Sequence, residues 1–223
     1  MLKIIFSFSI LCFWAWACQS QTPTSDSLRY LALGDSYTIG TSVEVAERFP
    51  MQLVKALQQK GIKIQKPKII ARVGWSTDQL SVAMDRENLS GTTWDLVTLL
   101  IGVNNQYRGG SLEQYKLEFE NLLKRAIELA GKDKRKVIVL SIPDYGVTPF
   151  GQRFQAGRIS REIDAFNAAN KKISESYGVA YCDITPISKE ALKEKDLIAK
   201  DLLHPSGKMY GRWIELLVRM VDL

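Results

Sequence analysis

The sequence predicts an α/β protein: a three-layer α/β/α sandwich around a five-stranded parallel sheet. Two observations predict it. From Leu28 onward, short apolar runs alternate with longer amphipathic stretches, as parallel strands joined by right-handed crossovers require. One run, Leu96 to Ile101, is continuous and uncharged, the pattern of a strand covered on both faces. At 223 residues the chain can build one domain with a full core, and is short for two. Its hydrophobic fraction of 46% and charged fraction of 24% are ordinary for a soluble globular protein.

Each element can be justified in order. Leu28 to Leu33 reads as the first strand. A helix is expected from Pro50, suited to a first turn, to Lys60, with Gly61 as the stop. Ile69 to Val73 is the second strand, and Ser76 or Thr77 caps a short helix after it. Leu96 to Ile101 is the third strand. Ser111-Leu112-Glu113-Gln114 reads as a capping box that opens a long helix ending near Gly131. Within that helix Leu112, Tyr115, Phe119, Leu122, Leu123, Ile127 and Ala130 recur at helical spacing, which marks a core face. Val137 to Leu140 is the fourth strand, and Pro143 to Arg158 a long loop. Ser160 to Tyr177 is helical, Val179 to Cys182 is the fifth strand, and Ser206 to Val221 the final helix.

The N-terminus carries a different signal. Lys3 precedes an uncharged apolar run, Ile4 to Trp16, too short for a membrane span of about 20 residues and suited to a signal peptide over residues 1–17. Ala15-Trp16-Ala17-Cys18, followed by the polar tether of residues 18–27, resembles a bacterial lipoprotein processing site. There Cys18 would be the lipidated first residue of an exported, membrane-anchored protein of the cell envelope; ordinary secretion with cleavage after Ala17 is the alternative. Residues 28–223 then form the folded domain. With Cys12 removed and Cys18 acylated, only Cys182 remains, expected as a buried inert thiol. No Cys/His cluster suggests a metal. The net charge of +6 is spread along the chain apart from Lys132 to Lys136, and no nucleic-acid-binding signature accompanies it.

In open parallel sheets, ligands bind beyond the carboxyl ends of the strands. Three of the predicted strands are followed by Gly34-Asp35-Ser36-Tyr37, Gly74-Trp75-Ser76 and Gly102-Val103-Asn104-Asn105. The single histidine, His204, lies in Asp201-Leu202-Leu203-His204, just before the last helix. Alone, that segment also reads as a polar turn in which Asp201 caps the helix. Together, the four segments can perform acyl transfer. Ser36 Oγ needs a base, and His204 is the only imidazole. Asp201 would orient the ring. The Ser36 and Gly74 amides and the Asn104 carboxamide would stabilise an oxyanion.

On these residues the chain resembles the SGNH/GDSL hydrolase family. Gly34-Asp35-Ser36-Tyr37 resembles the first block, with Tyr37 in place of Leu. Gly74 resembles the second, and Gly102-Val103-Asn104 the third, with Asn105 where Asp is frequent. Asp201-Leu202-Leu203-His204 resembles the last. The resemblance implies a flavodoxin-like fold, a Ser36–His204–Asp201 triad, an oxyanion hole of Ser36, Gly74 and Asn104, and no cofactor. It implies hydrolysis of short acyl esters or lysophospholipids through an acyl-enzyme, or of acetyl esters on carbohydrates. A non-catalytic ligand-binding lipoprotein on the same scaffold is the reading from another class. Tyr107, Arg108 and Tyr145 are expected at the substrate pocket. Arg108 could meet an anionic or sugar group, or be a solvated loop charge. Tyr145, Phe150 and Phe154 could form an acyl-accepting wall, or pack under their loop. The expected partners are a small-molecule or glycan ester and, through Cys18, a membrane.

Overall fold

The computed structural model describes residues 27–89 and 91–221. The signal segment and Cys18 lie outside the described residues. Five strands, β1 (Tyr30–Gly34), β2 (Lys68–Ala71), β3 (Leu96–Leu100), β4 (Val137–Leu140) and β5 (Ala180–Cys182), form one parallel sheet in the order β2-β1-β3-β4-β5. Among the described residues, eight α-helices join and flank them: α1 (Ser36–Ile39), α2 (Phe49–Gln59), α3 (Thr77–Arg86), α4 (Val103–Tyr107), α5 (Leu112–Leu129), α6 (Ala156–Ser176), α7 (Thr185–Lys189) and α8 (Gly207–Met220). α2 packs against α8 on one face of the sheet, while α5 packs between α3 and α6 on the other. The result is the expected three-layer sandwich.

The sheet forms where the sequence is most apolar. Every residue of β1, β3 and β4 is buried, because helices cover both faces. On α5, Tyr115, Phe119, Leu122, Leu123 and Ala126 face this core, followed by Ala130 just past the helix end; Leu112 and Ile127 are partly buried at its margin. Cys182 is buried and free, and burial pushes its thiol up to about 12, which leaves it protonated and unreactive.

Several boundaries differ from the sequence reading for identifiable reasons. The Ser111 hydroxyl caps α5, accepting from the Gln114 amide at 3.4 Å, but the box is half made: the Gln114 carboxamide donates to Glu118 instead. A complete box forms at α3, between Ser76 and Gln79. The expected loop from Pro143 to Arg158 contains two 3-10 turns, Tyr145–Val147 and Gly151–Arg153, and α6 begins at Ala156. Gln155 gives that helix no side-chain cap, so no local signal announces it. Its first turn is held by burial of Ile159 and by an Arg158–Glu162 ion pair at 2.6 Å. The short helices α1, α4 and α7 are too brief to show periodicity.

Candidate active site

The β2-β1-β3 order decides where the site falls. Crossovers leave β1 toward opposite sides, and such a switch point opens a crevice beyond the strand ends. Gly34 of β1 lies beside Leu100 of β3, so the segments that follow both strands start as neighbours. Ser36 is the first residue of α1. Asp35 caps that helix by accepting from the Tyr37 amide at 3.0 Å. The Ser36 amide, at the first helical position, has no intrahelical acceptor and points out of the helix start.

His204 is fixed through its backbone and its ring. Its carbonyl accepts from Ala199 N at 2.8 Å, and Ile198 and Pro205 form an antiparallel bridge beside it. Asp201 accepts from the His204 amide at 2.9 Å and the Leu203 amide at 3.0 Å through Oδ1. Through Oδ2 it meets His204 Nδ1 at 2.5 Å and accepts from the Ser42 hydroxyl at 2.6 Å. Partial burial alone would raise the Asp201 carboxyl, but these hydrogen bonds outweigh it and bring it to about 2. An ionised carboxylate only accepts, so the neutral ring carries its proton on Nδ1 and leaves Nε2 free to take one. The Tyr37 ring packs edge-on against the imidazole, with centroids 5.7 Å apart. Tyr37 thus holds the ring at the position where Leu is usual.

The residues expected to stabilise an oxyanion, Gly74 and Asn104, are each held by neighbouring groups. Gly74 has φ +84°, a conformation that side-chain-bearing residues rarely adopt. Among the described residues, no group accepts from its amide. The Arg108 guanidinium clasps its loop, donating to the Gly74 carbonyl at 2.5 Å, to Ser76 Oγ at 3.2 Å and to Gln79 Oε1 at 3.1 Å. Asn104 donates one amide hydrogen to the Trp75 carbonyl at 2.9 Å, which orients the carboxamide and leaves its second hydrogen available. Asn105 exchanges hydrogen bonds with Thr77, accepting from its amide at 3.1 Å and donating to its hydroxyl at 2.6 Å. An Asn can do both, so it anchors the start of α3 to α4 without a charge.

Ser36, Gly74, Asn104 and His204 all line one cleft of about 190 Å³, together with Tyr37, Val73, Val103, Tyr107, Tyr145, Phe150 and Leu203. Of the three residues expected at the pocket, Tyr107 and Tyr145 line it. Arg108 does not: its guanidinium is turned onto the Gly74 loop. Phe150 is a wall of the cleft, whereas Phe154 lies outside it. Ser42 escaped the sequence reading, because nothing in its local pattern links it to a carboxylate 159 residues away.

A buried serine at a helix start, a histidine whose Nδ1 lies on an ionised carboxylate, and a glycine and an asparagine from two further loops line one cleft beyond the strand ends of a doubly wound sheet. The sequence profile of the GDSL-like lipase/acylhydrolase family matches residues 32–212, and the chain belongs to that family of hydrolases. Solved structures agree on the fold. TesA superimposes with a TM-score of 0.69 at 16% identity, covering 87% of this chain and 98% of that one. A lipase/acylhydrolase from Enterococcus faecalis gives 0.66 at 20% identity, covering 86% and 94%. Axe2, an acetylxylan esterase from Geobacillus stearothermophilus, gives 0.69 at 18% identity, covering 88% and 94%. A comparison of the sequence with curated proteins finds no match.

Proposed function

We propose that the protein is a serine esterase that hydrolyses short-chain carboxylic esters through an acyl-enzyme. The observation that carries this reading is the single cleft lined by Ser36, Gly74, Asn104 and His204, with His204 Nδ1 on the Asp201 carboxylate. Ser36 Oγ attacks the ester carbonyl while His204 Nε2 takes its proton. The new oxyanion is held by the Ser36 and Gly74 amides and the Asn104 carboxamide. Collapse breaks the bond to the alcohol oxygen, which leaves with the proton from His204. Water then attacks the acyl-Ser36 with His204 again as base, and the acid departs as the serine regains its proton.

The cleft also bears on the acyl group. Its volume of about 190 Å³ is small beside the roughly 300–1,000 Å³ of clefts that enclose larger ligands. That favours a short acyl chain over the long chain of a lysophospholipid. Fluorophosphonate labelling combined with hydrolysis across acyl chain lengths tests both parts. The wild type should label, Ser36→Ala should not, and rates should peak at short chains. Equal labelling of Ser36→Ala would refute the nucleophile.

The N-terminal reading joins this proposal. Residues 1–17 direct export, Cys18 receives the lipid, and residues 18–27 tether the domain of residues 28–223 to a bacterial envelope membrane. The motif at Ala17-Cys18 supports it. Cys18→Ala should move the protein from the membrane to the soluble fraction and abolish incorporation of labelled palmitate. Acyl-dependent membrane partitioning by the variant would overturn the anchor.

A further inference from the structure

Tyr107 and Tyr145 are walls of the cleft that Ser36 and His204 line. These two rings, edge to face with centroids 6.1 Å apart, also line a second and larger depression of about 650 Å³. The two spaces differ in chemistry. Around the reacting atoms the walls are largely apolar, with Val73, Val103, Phe150 and Leu203. The second depression is lined by Gln106, Arg153, Gln155, Arg158 and Glu162, with Phe154 among them.

Two large rings in this polar setting face solvent: Tyr107 is 56% and Phe154 55% exposed. One exposed aromatic needs no explanation. Two beside fixed hydrogen-bonding groups, in a depression that shares the Tyr107 and Tyr145 walls with the cleft, indicate a ligand with both an apolar face and a polar rim. Phe154 is braced by Phe150, at 5.2 Å between centroids, and Phe150 is itself a wall of the cleft. Glu162 is held by Arg158 at 2.6 Å and Gln106 at 2.7 Å, so its carboxylate is immobilised at the margin of the depression. Arg153 makes no ion pair or side-chain hydrogen bond among the described residues and keeps its donors available. A fixed carboxylate disfavours a phosphate or a lipid headgroup. A pyranose ring matches the set, because its C–H face stacks on an aromatic ring while its hydroxyls donate to carboxylate and accept from guanidinium.

We propose that this depression is a carbohydrate subsite. It holds the sugar on the alcohol side of an acylated oligosaccharide, with rings stacked on Phe154 and Tyr107, while the acyl group occupies the small cleft. The assignment deepens the esterase reading above and rests on it for the direction in which the ester lies. It makes Phe154 a specificity-determining residue that never touches the ester itself.

The test has a binding arm and a rate arm. In the binding arm, a Ser36→Ala protein is titrated with an O-acetylated tetrasaccharide and with an acetylated monosaccharide, by calorimetry or NMR. The tetrasaccharide should bind more tightly, and adding Phe154→Ala should weaken it by about tenfold, as expected for loss of one aromatic platform. Phe154→Tyr should restore it, which separates stacking from misfolding. In the rate arm, Phe154→Ala should lower kcat/KM for the tetrasaccharide far more than for p-nitrophenyl acetate. Equal binding of the two saccharides, or equal losses on both esters, overturns the subsite. Phe154-dependent binding by a protein whose wild type neither labels nor hydrolyses would uphold the subsite and reject the esterase.

Discussion

Asp201 is where a single residue decides the chemistry. Its carboxylate is ionised by hydrogen bonds from Ser42, His204 and Leu203, and it fixes the proton of His204 on Nδ1. Asp201→Asn would keep the shape but offer an N–H to the ring, which favours the wrong tautomer; kcat should fall by about 10⁴ with KM little changed. His204→Ala should abolish turnover to a similar or greater degree, since the sequence holds no other imidazole to replace it. Circular dichroism should show both variants folded. Ser42→Ala removes only one hydrogen bond donated to Asp201 and should cost roughly tenfold or less in kcat, as a positioning effect. Ser36, Asp201 and His204 were legible in the sequence because each belongs to a short motif and the histidine is unique. Ser42 and the packing of Tyr37 on the imidazole were not, because both are contacts across the fold with no local signature.

At the scale of elements, the loops after the strands matter more than the strands. The Gly74 amide reaches the cleft only because φ there is +84° and because Arg108 grips the Gly74 carbonyl. Gly74→Ala should strain the turn and misplace a donor, lowering kcat by about 10²-fold. Arg108→Ala should act through the same loop, reducing kcat while KM for a small ester stays within about twofold. An Arg108 that bound substrate would instead raise KM. At Gly102 the backbone has φ +131°, and a Cβ would come within 2.6 Å of the Tyr115 ring and 2.9 Å of Ile142. Gly102→Ala should therefore cost about 2–4 kcal/mol of stability, measured by urea unfolding, because strain and overpacking combine. The sequence showed that a glycine stood after each of the first three strands and read Gly74 as a close approach to substrate. It could not show that Arg108 faces a backbone carbonyl, since an exposed loop arginine has the same local context in either role.

For the whole molecule, the number of strands, their parallel sense and the three layers followed from alternation and strand hydrophobicity alone. The order β2-β1-β3-β4-β5 did not, because apolar runs of similar composition carry no pairing label; it is set by which helix faces bury best. That order seals Asp35 beneath the site. The residue is wholly buried, its Oδ1 caps α1, and its Oδ2 has no hydrogen-bond partner among the described residues. Burial pushes its carboxyl up to about 7, against 3.8 for an unburied one, and the Tyr37 amide offsets only part of this. The folded protein therefore holds a proton that the unfolded chain releases. Between pH 3.8 and about 7 the native state binds more protons, so this residue's contribution to stability falls as pH rises, by on the order of 4 kcal/mol in total. Below that window the contribution is at its most favourable, and above it the slope vanishes. Asp35→Asn keeps the acceptor for the Tyr37 amide and cannot ionise. Its stability relative to wild type, from urea unfolding at steps between pH 4 and 8, should therefore climb through the window and then level off. A difference that stays flat across those pH values would mean that Asp35 titrates in the folded protein as it does in the unfolded chain, and that its buried carboxylate is solvated by water entering from the cleft.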